Sequence, residues 1–300
     1  MDVNLLALWR ASRLMMVLVS IFSVLLALAV AAGHGVAVVP FEAALLMLGV
    51  VLAHVGFNLL CSYHDVTRGF SSRSVAMPFN NTTMLLEAQS GLLKRAAMVL
   101  ITLALLLGGY FVWARGLGLL FPILFSLLMV VSYHGWSLRK PHIGLILPGV
   151  ILGPVLIVSS YYALTGVYDF DALYVSLASF FLICNLFLLN QYPNYHLNLE
   201  LGRFYFPVVY GTKRSSVVHV VFSLGVLYVI GMGDIIGLLP EQSPWAMLPM
   251  LLALYAVVGG FKFGTDGERL KPHLRANMAA LLLVELTLVI LLFCQPISSH

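Results

Sequence analysis

Nine apolar runs near bilayer-spanning length, a charged fraction of only 9% beside 61% hydrophobic residues, and lysines and arginines placed almost wholly on one side predict an all-α, polytopic membrane protein. An average soluble domain carries roughly 25% charged residues. Residues 1–300 read as a single integral-membrane domain in the lipid bilayer.

The net charge of +4 comes from sixteen basic and twelve acidic residues scattered in ones and twos. Without a basic run or an aromatic-interleaved patch, nucleic acid is excluded as a partner. Cys61 and Cys184 fall inside apolar runs and Cys294 lies near the end, with no Cys-x-x-Cys pair. That usage supports neither a disulfide framework nor a zinc site.

The first run, about 12–32, follows Arg10 and Arg13. It exceeds the roughly 7 to 15 residues of a signal-peptide core and further spans follow, so it reads as a retained helix. The second, about 41–60, opens after Pro40 and runs into the polar segment Cys61 to Asp65. The third, about 96–113, is bounded by Lys94-Arg95 and Arg115, and the fourth, about 117–133, by Gly116 and Arg139-Lys140. Runs five and six, about 143–163 and 172–191, are separated by Thr165-Gly166 and two aspartates and closed by Pro193. The last three, about 216–238, 243–261 and 276–294, are punctuated by Pro240, Lys262 and Arg275. Glu285 falls in the middle of the ninth and must face the bundle, because a carboxyl in lipid is costly.

With the amino terminus inside, fifteen of the sixteen basic residues, Arg139 among them, face the cytoplasm and only Arg115 lies outside. Positive charge in short loops fixes orientation, so the predicted topology is amino terminus in, carboxyl terminus out, in the cytoplasmic membrane. The outer loops are short. The inner loops at about 61–95 and 192–215 are long and polar, and function is sought there.

The second run ends with His54, Asn58, Cys61, Ser62 and Asp65 at helical steps of three and four. A polar stripe at membrane depth either bonds a neighbouring helix or faces a wet cavity, and the spacing leaves both open. After the sixth run, Asn190, Asn194 and Asn198 recur every fourth residue, and Pro193 kinks the chain between them.

The chain opens with Trp9, Ala11 and Arg13, carries Gly153-Pro154 through Tyr161-Tyr162 to Thr165-Gly166, and sets Asn190, Glu200, Gly202, Arg203 and Gly211 around its second polar loop. On these residues it resembles the UbiA superfamily of membrane prenyltransferases, in particular its 1,4-dihydroxy-2-naphthoate polyprenyltransferase branch from menaquinone synthesis. The likeness implies a nine-helix bundle with both polar loops inside. It also implies loop aspartates holding Mg2+ on the diphosphate of a polyprenyl donor, whose ionised prenyl group an aromatic acceptor captures.

The motifs depart from that pattern. Where the branch has Asn-Asp-Tyr-x-Asp, this chain has Cys61-Ser62-Tyr63-His64-Asp65, so Asp65 is the acid that remains as a metal ligand. The second motif carries Asn194 and Asn198 in place of aspartates, with His196 at a third position that is often acidic. Asparagine keeps the shape and one carbonyl oxygen but offers a divalent cation no charge.

The resemblance assigns Asp65 and Asn58 to catalysis. It assigns Asn190, Asn194, Asn198, Tyr63, His64, His196, Tyr161 and Tyr162 to substrate, with Arg68, Arg203 and Lys213 clamping diphosphate. Phe57 and the tyrosines supply aromatic faces for an allylic cation. Two functions follow as expectations: transfer of a polyprenyl group to an aromatic or other small acceptor, or, given the lost acids, a relative that binds isoprenoid, quinone or lipid as a carrier, sensor or partner. A small-solute transporter is disfavoured, since buried charge chains and matched broken helices are missing.

Overall fold

The computed structural model describes residues 3–75, 78, 87–133 and 140–294, all helix, turn or loop. Arg139 and His300 lie outside the described residues.

The first apolar run forms α2 (Leu14–Gly33), which a shorter helix, α1 (Val3–Ser12), precedes, the two joined at Arg13. Arg13 adopts φ 47, ψ 50, the left-handed conformation that a side chain with a Cβ rarely takes. Helix α3 (Pro40–Thr67) begins at a proline whose missing N–H has no intrahelical partner to lose. Helix α4 (Ser90–Arg115) packs antiparallel to it, and Gly56 sets the approach, since a Cβ there would stand 2.9 Å from Ile101 Cγ1.

Among the described residues, eight helices are long and apolar enough to cross a bilayer. Run four contributes a 3-10 turn and α5 (Leu120–Tyr133), whose last residue is also the last described before residue 140.

The fifth run, Pro141–Thr165, is continuous but not uniformly α. It passes from α6 (Pro141–Val150) through a π-helical segment, Ile151–Val155, into α7 (Leu156–Thr165). Pro148 and Pro154 disturb the hydrogen-bond ladder, and the Ser23 hydroxyl donates to the Leu152 carbonyl at 2.8 Å. Here the backbone lies against α8 (Phe170–Asn190): a Cβ on Gly149 would meet Cys184 Sγ at 2.4 Å.

After α8 the chain breaks at Pro193 into two short helices, α9 (Tyr195–Glu200) and α10 (Phe206–Tyr210). Helices α11 (Thr212–Ile235), α12 (Met250–Phe263) and α13 (Gly267–Cys294) complete the bundle. The core lies among α2, α8, α11 and α13, whose inward residues Leu26, Ile183, Ile230 and Leu281 are fully buried. Helices α2, α8 and α13 bury 61%, 67% and 56% of their most apolar stretch, against 11% for α4, which places α4 at the lipid-facing edge. Glu285 is fully buried inside the bundle, as its position in a membrane run requires.

Polar loops collect at one end. There the Arg73 guanidinium pairs with the Glu200 carboxylate, Val75 N donates to Asn194 Oδ1 at 2.8 Å, and His142 Nε2 bonds the Tyr210 hydroxyl at 3.0 Å. At the opposite end Arg115 pairs with Glu42, and His34 bonds Asp171 at 2.9 Å and the Tyr161 hydroxyl at 3.0 Å.

Candidate functional site

The α3 stripe faces the α1–α2 junction. His54 Nδ1 bonds the Ser20 hydroxyl at 2.6 Å, Asn58 Nδ2 donates to the Ser12 carbonyl at 2.8 Å, and the Ser62 hydroxyl donates to the Ala11 carbonyl at 3.3 Å. Both readings of the stripe hold at once. It bonds a neighbouring helix, and its members His54, Asn58, Cys61 and Asp65 also line a cavity of about 430 Å³.

Asp65 is the centre of this wall. Its Oδ2 accepts from Arg13 Nη2 at 2.9 Å and its Oδ1 from Arg203 Nη2 at 2.7 Å, with Asp65 6% and Arg203 5% exposed. The Arg203 guanidinium also stacks over the Phe70 ring, 4.2 Å from its centroid. Two left-handed residues build the clamp. Arg13 turns the chain at the α1–α2 break, and Gly202 at φ 67 lets Arg203 N bond back to the Asn198 carbonyl at 2.8 Å.

The asparagine ladder reaches the same cavity. Asn190, Asn194 and Asn198 all line it, joined by Gln191 and Tyr205. Asn194 holds the loop after α3 through its bond from Val75 N. The side-chain oxygens of Asn190, Gln191 and Asn198 are buried without a hydrogen-bond partner among the described residues. The remainder of the cavity is apolar and long, walled by α3 and α4 on one side and by α5 to α7 on the other, with Leu46, Ala104, Phe111, Ile123 and Leu152 among its lining. Phe57 lies on it as well.

Other sequence-derived residues fall elsewhere. Tyr63, His64, Arg68, His196, Lys213, Tyr161 and Tyr162 are not part of this lining. Tyr161 bonds His34 at the far end of the bundle, and the Tyr162 hydroxyl donates to the Arg115 carbonyl at 3.2 Å. Lys94 Nζ sits over the Tyr63 ring, 5.6 Å from its centroid. Glu200, the second carboxylate near the motifs, is exposed and engaged by Arg73. What the sequence reading missed is Arg13 as a member of the site, along with Ser20, Phe70, Gln191 and Tyr205. Arg13 carried a signal in the Trp9, Ala11, Arg13 opening, but by charge alone it resembles any basic residue flanking a span.

Magnesium prefers several hard, anionic oxygens. Asp65 is the one carboxylate in the lining among the described residues, and each of its oxygens is engaged by a guanidinium. Among the described residues, then, the lining offers one carboxylate where a pair of magnesium ions calls for several, and the residues present do not fit such a pair. A different donor group, His34, Asp169 and Asp171, has ligand atoms within 4.8 Å of one another, but at the opposite end of the bundle.

Residues 20–284 match the model of the UbiA prenyltransferase family. The chain belongs to that family. No curated protein matches the chain. Among solved structures, this UbiA-family chain is similar in fold to digeranylgeranylglyceryl phosphate synthase, with a TM-score of 0.61 at 15% identity over 96% of this chain and 99% of that one. It is also similar to a UbiA homologue from Archaeoglobus fulgidus. The form of that homologue bound to DMAPP and Mg2+ gives a TM-score of 0.59 at 14% identity, covering 94% of this chain and 99% of that one. The form bound to GPP and Mg2+ gives 0.61 at 14%, covering 95% and 99%.

Proposed function

We propose that this chain binds a polyprenyl diphosphate, with the prenyl chain in the apolar part of the cavity and the anionic head at the Arg13–Asp65–Arg203 end, and transfers the prenyl group to an aromatic or other small acceptor. The observation that carries the reading is the convergence of both polar motifs on one cavity whose remaining walls are apolar. An amphipathic lipid with a small anionic head has that distribution of chemistry. In the reaction, the bond between the prenyl C1 and the diphosphate oxygen breaks with its electron pair leaving on oxygen. The acceptor then bonds C1 and gives up a proton.

Arg13 and Arg203 supply positive charge where the diphosphate develops negative charge, and Asn58, Asn190, Asn194 and Asn198 orient the head group. Phe57 and Phe70 offer aromatic faces to the allylic cation. The acceptor fits quinone-type synthesis, in keeping with the resemblance to the menaquinone branch. Residues 1–300 act as a single domain in the cytoplasmic membrane, with the site loops facing the cytoplasm, as the distribution of basic residues favours.

One observation favours a second reading, a relative that binds isoprenoid, quinone or lipid without chemistry: the acid that family members devote to metal is tied to two arginines here. Incubating purified protein with a radiolabelled polyprenyl diphosphate and 1,4-dihydroxy-2-naphthoate separates the two. Label appearing in the acceptor together with released diphosphate supports transfer. Retention of the intact labelled lipid with no diphosphate released supports the carrier.

A further inference from the structure

We infer that Asp65 is an internal counter-anion occupying a diphosphate-binding arginine pair, so that a bound head group competes with this carboxylate for Arg13 and Arg203 instead of being bridged to it by metal. The inference rests on the proposed isoprenoid-diphosphate reading and deepens it.

Among the described residues, Arg13, Asp65 and Arg203 are the charged side chains of the cavity lining, and two guanidiniums against one carboxylate leave a formal positive charge there. Each guanidinium donates to a different oxygen of Asp65, a geometry that a phosphate with several acceptor oxygens reproduces. Arg13 has a donor to spare. Arg13 Nε is buried with no acceptor among the described residues, although a guanidinium has five donors to place.

Backbone geometry points the same way. Arg13 is the described non-glycine residue with positive φ, at 47°, a conformation that a Cβ makes costly. That cost is maintained at the residue whose side chain reaches the site, as expected where function constrains a backbone. The three amide oxygens of Asn190, Gln191 and Asn198 complete the wall. Each amide accepts from a hydroxyl through its oxygen and donates to a phosphate oxygen through its nitrogen, so the arginines supply the charge that holds the anion and the amides its orientation.

A metal-ligand role and a counter-anion role predict opposite signs for one substitution. If Asp65 held metal, Asp65→Asn would weaken diphosphate binding. As a counter-anion, its removal keeps the shape and leaves two buried cations in need of an anion.

The experiment measures binding of geranyl diphosphate, geraniol and inorganic diphosphate to detergent-purified protein, each with magnesium and with EDTA. In the wild type, geranyl diphosphate binding is indifferent to magnesium. Asp65→Asn tightens both diphosphate probes by about tenfold, the scale of one charge-assisted hydrogen bond, and leaves geraniol unchanged. Arg13→Gln and Arg203→Gln each weaken the diphosphate probes by about tenfold and also leave geraniol unchanged, so geraniol reports an intact cavity in every variant.

Diphosphate binding that is weakened or unaltered by Asp65→Asn while geraniol still binds overturns the inference. So does wild-type binding abolished by EDTA. Should Asp65→Asn lose geraniol binding through misfolding, the arginine variants decide, and unaltered diphosphate affinity in both overturns the inference. Wild type that binds inorganic diphosphate with these signs but neither geranyl probe would remove the isoprenoid reading and leave the counter-anion standing.

Discussion

Arg13 and Asp65, 52 residues apart in sequence, meet through Nη2 and Oδ2 at 2.9 Å at the polar end of the cavity. The contact joins the break between α1 and α2 to the last turn of α3. Arg203 closes the other side of the same carboxylate from 138 residues away. One buried charge thus ties three chain segments that are far apart in sequence, and the predictions below follow from that arrangement and from the cavity it caps.

Replacing Arg203 with methionine removes its ion pair to Asp65 and its stack on Phe70, and leaves Asp65 buried with Arg13 as its remaining cation. A loss of roughly 3 kcal/mol is expected, the lower part of the range for breaking a buried pair. Thermal unfolding in detergent reads it as a clear fall in Tm, and an unmoved Tm would show that the pair contributes nothing to the folded state.

Gly149→Val places a Cβ 2.4 Å from Cys184 Sγ and 2.8 Å from the Phe180 carbonyl, forcing α6 away from α8. The expected cost is about 1–3 kcal/mol. Gly91→Ala is the control, because its Cβ meets nothing within 4 Å and alanine favours a helix. The valine variant should unfold at lower temperature, and the alanine variant should match or exceed wild type.

Ala104→Trp fills part of the apolar wall without touching the arginine end. Long prenyl ligands are expected to lose about tenfold in affinity and geranyl ligands little, since each buried CH₂ is worth about 0.8 kcal/mol. Affinity measured against prenyl chain length checks this. A uniform loss at every length would place the chain elsewhere.

The double variant Asn194→Asp and Asn198→Asp returns two carboxylates to the cavity that holds Asp65. Oxygen ligands bearing charge are what a divalent cation lacks in the native chain. Manganese titration followed by electron paramagnetic resonance should detect a bound ion in the variant and none in the wild type. Equal binding in both would mean that the asparagines were not what excluded metal.

Much of the architecture was legible beforehand. The bilayer imposes a length and an apolar composition on each span, so runs such as 172–191 translate almost residue for residue into α8. The stripe His54, Asn58, Cys61 and Asp65 was legible as well, because helical spacing alone puts those residues on one face.

The sequence by itself determined that this chain is a helical membrane protein, that its polar loops lie after the second and sixth runs, and that its motifs had traded aspartate for asparagine. Only the tertiary structure decided that both motifs share one cavity and that Asp65 answers to Arg13 and Arg203. The reason is physical. Span formation depends on contiguous hydrophobicity, which is local, whereas the state of a buried carboxylate depends on which cations the fold brings within about 3 Å, and an arginine beside a span reads identically whether it marks topology or reaches inward.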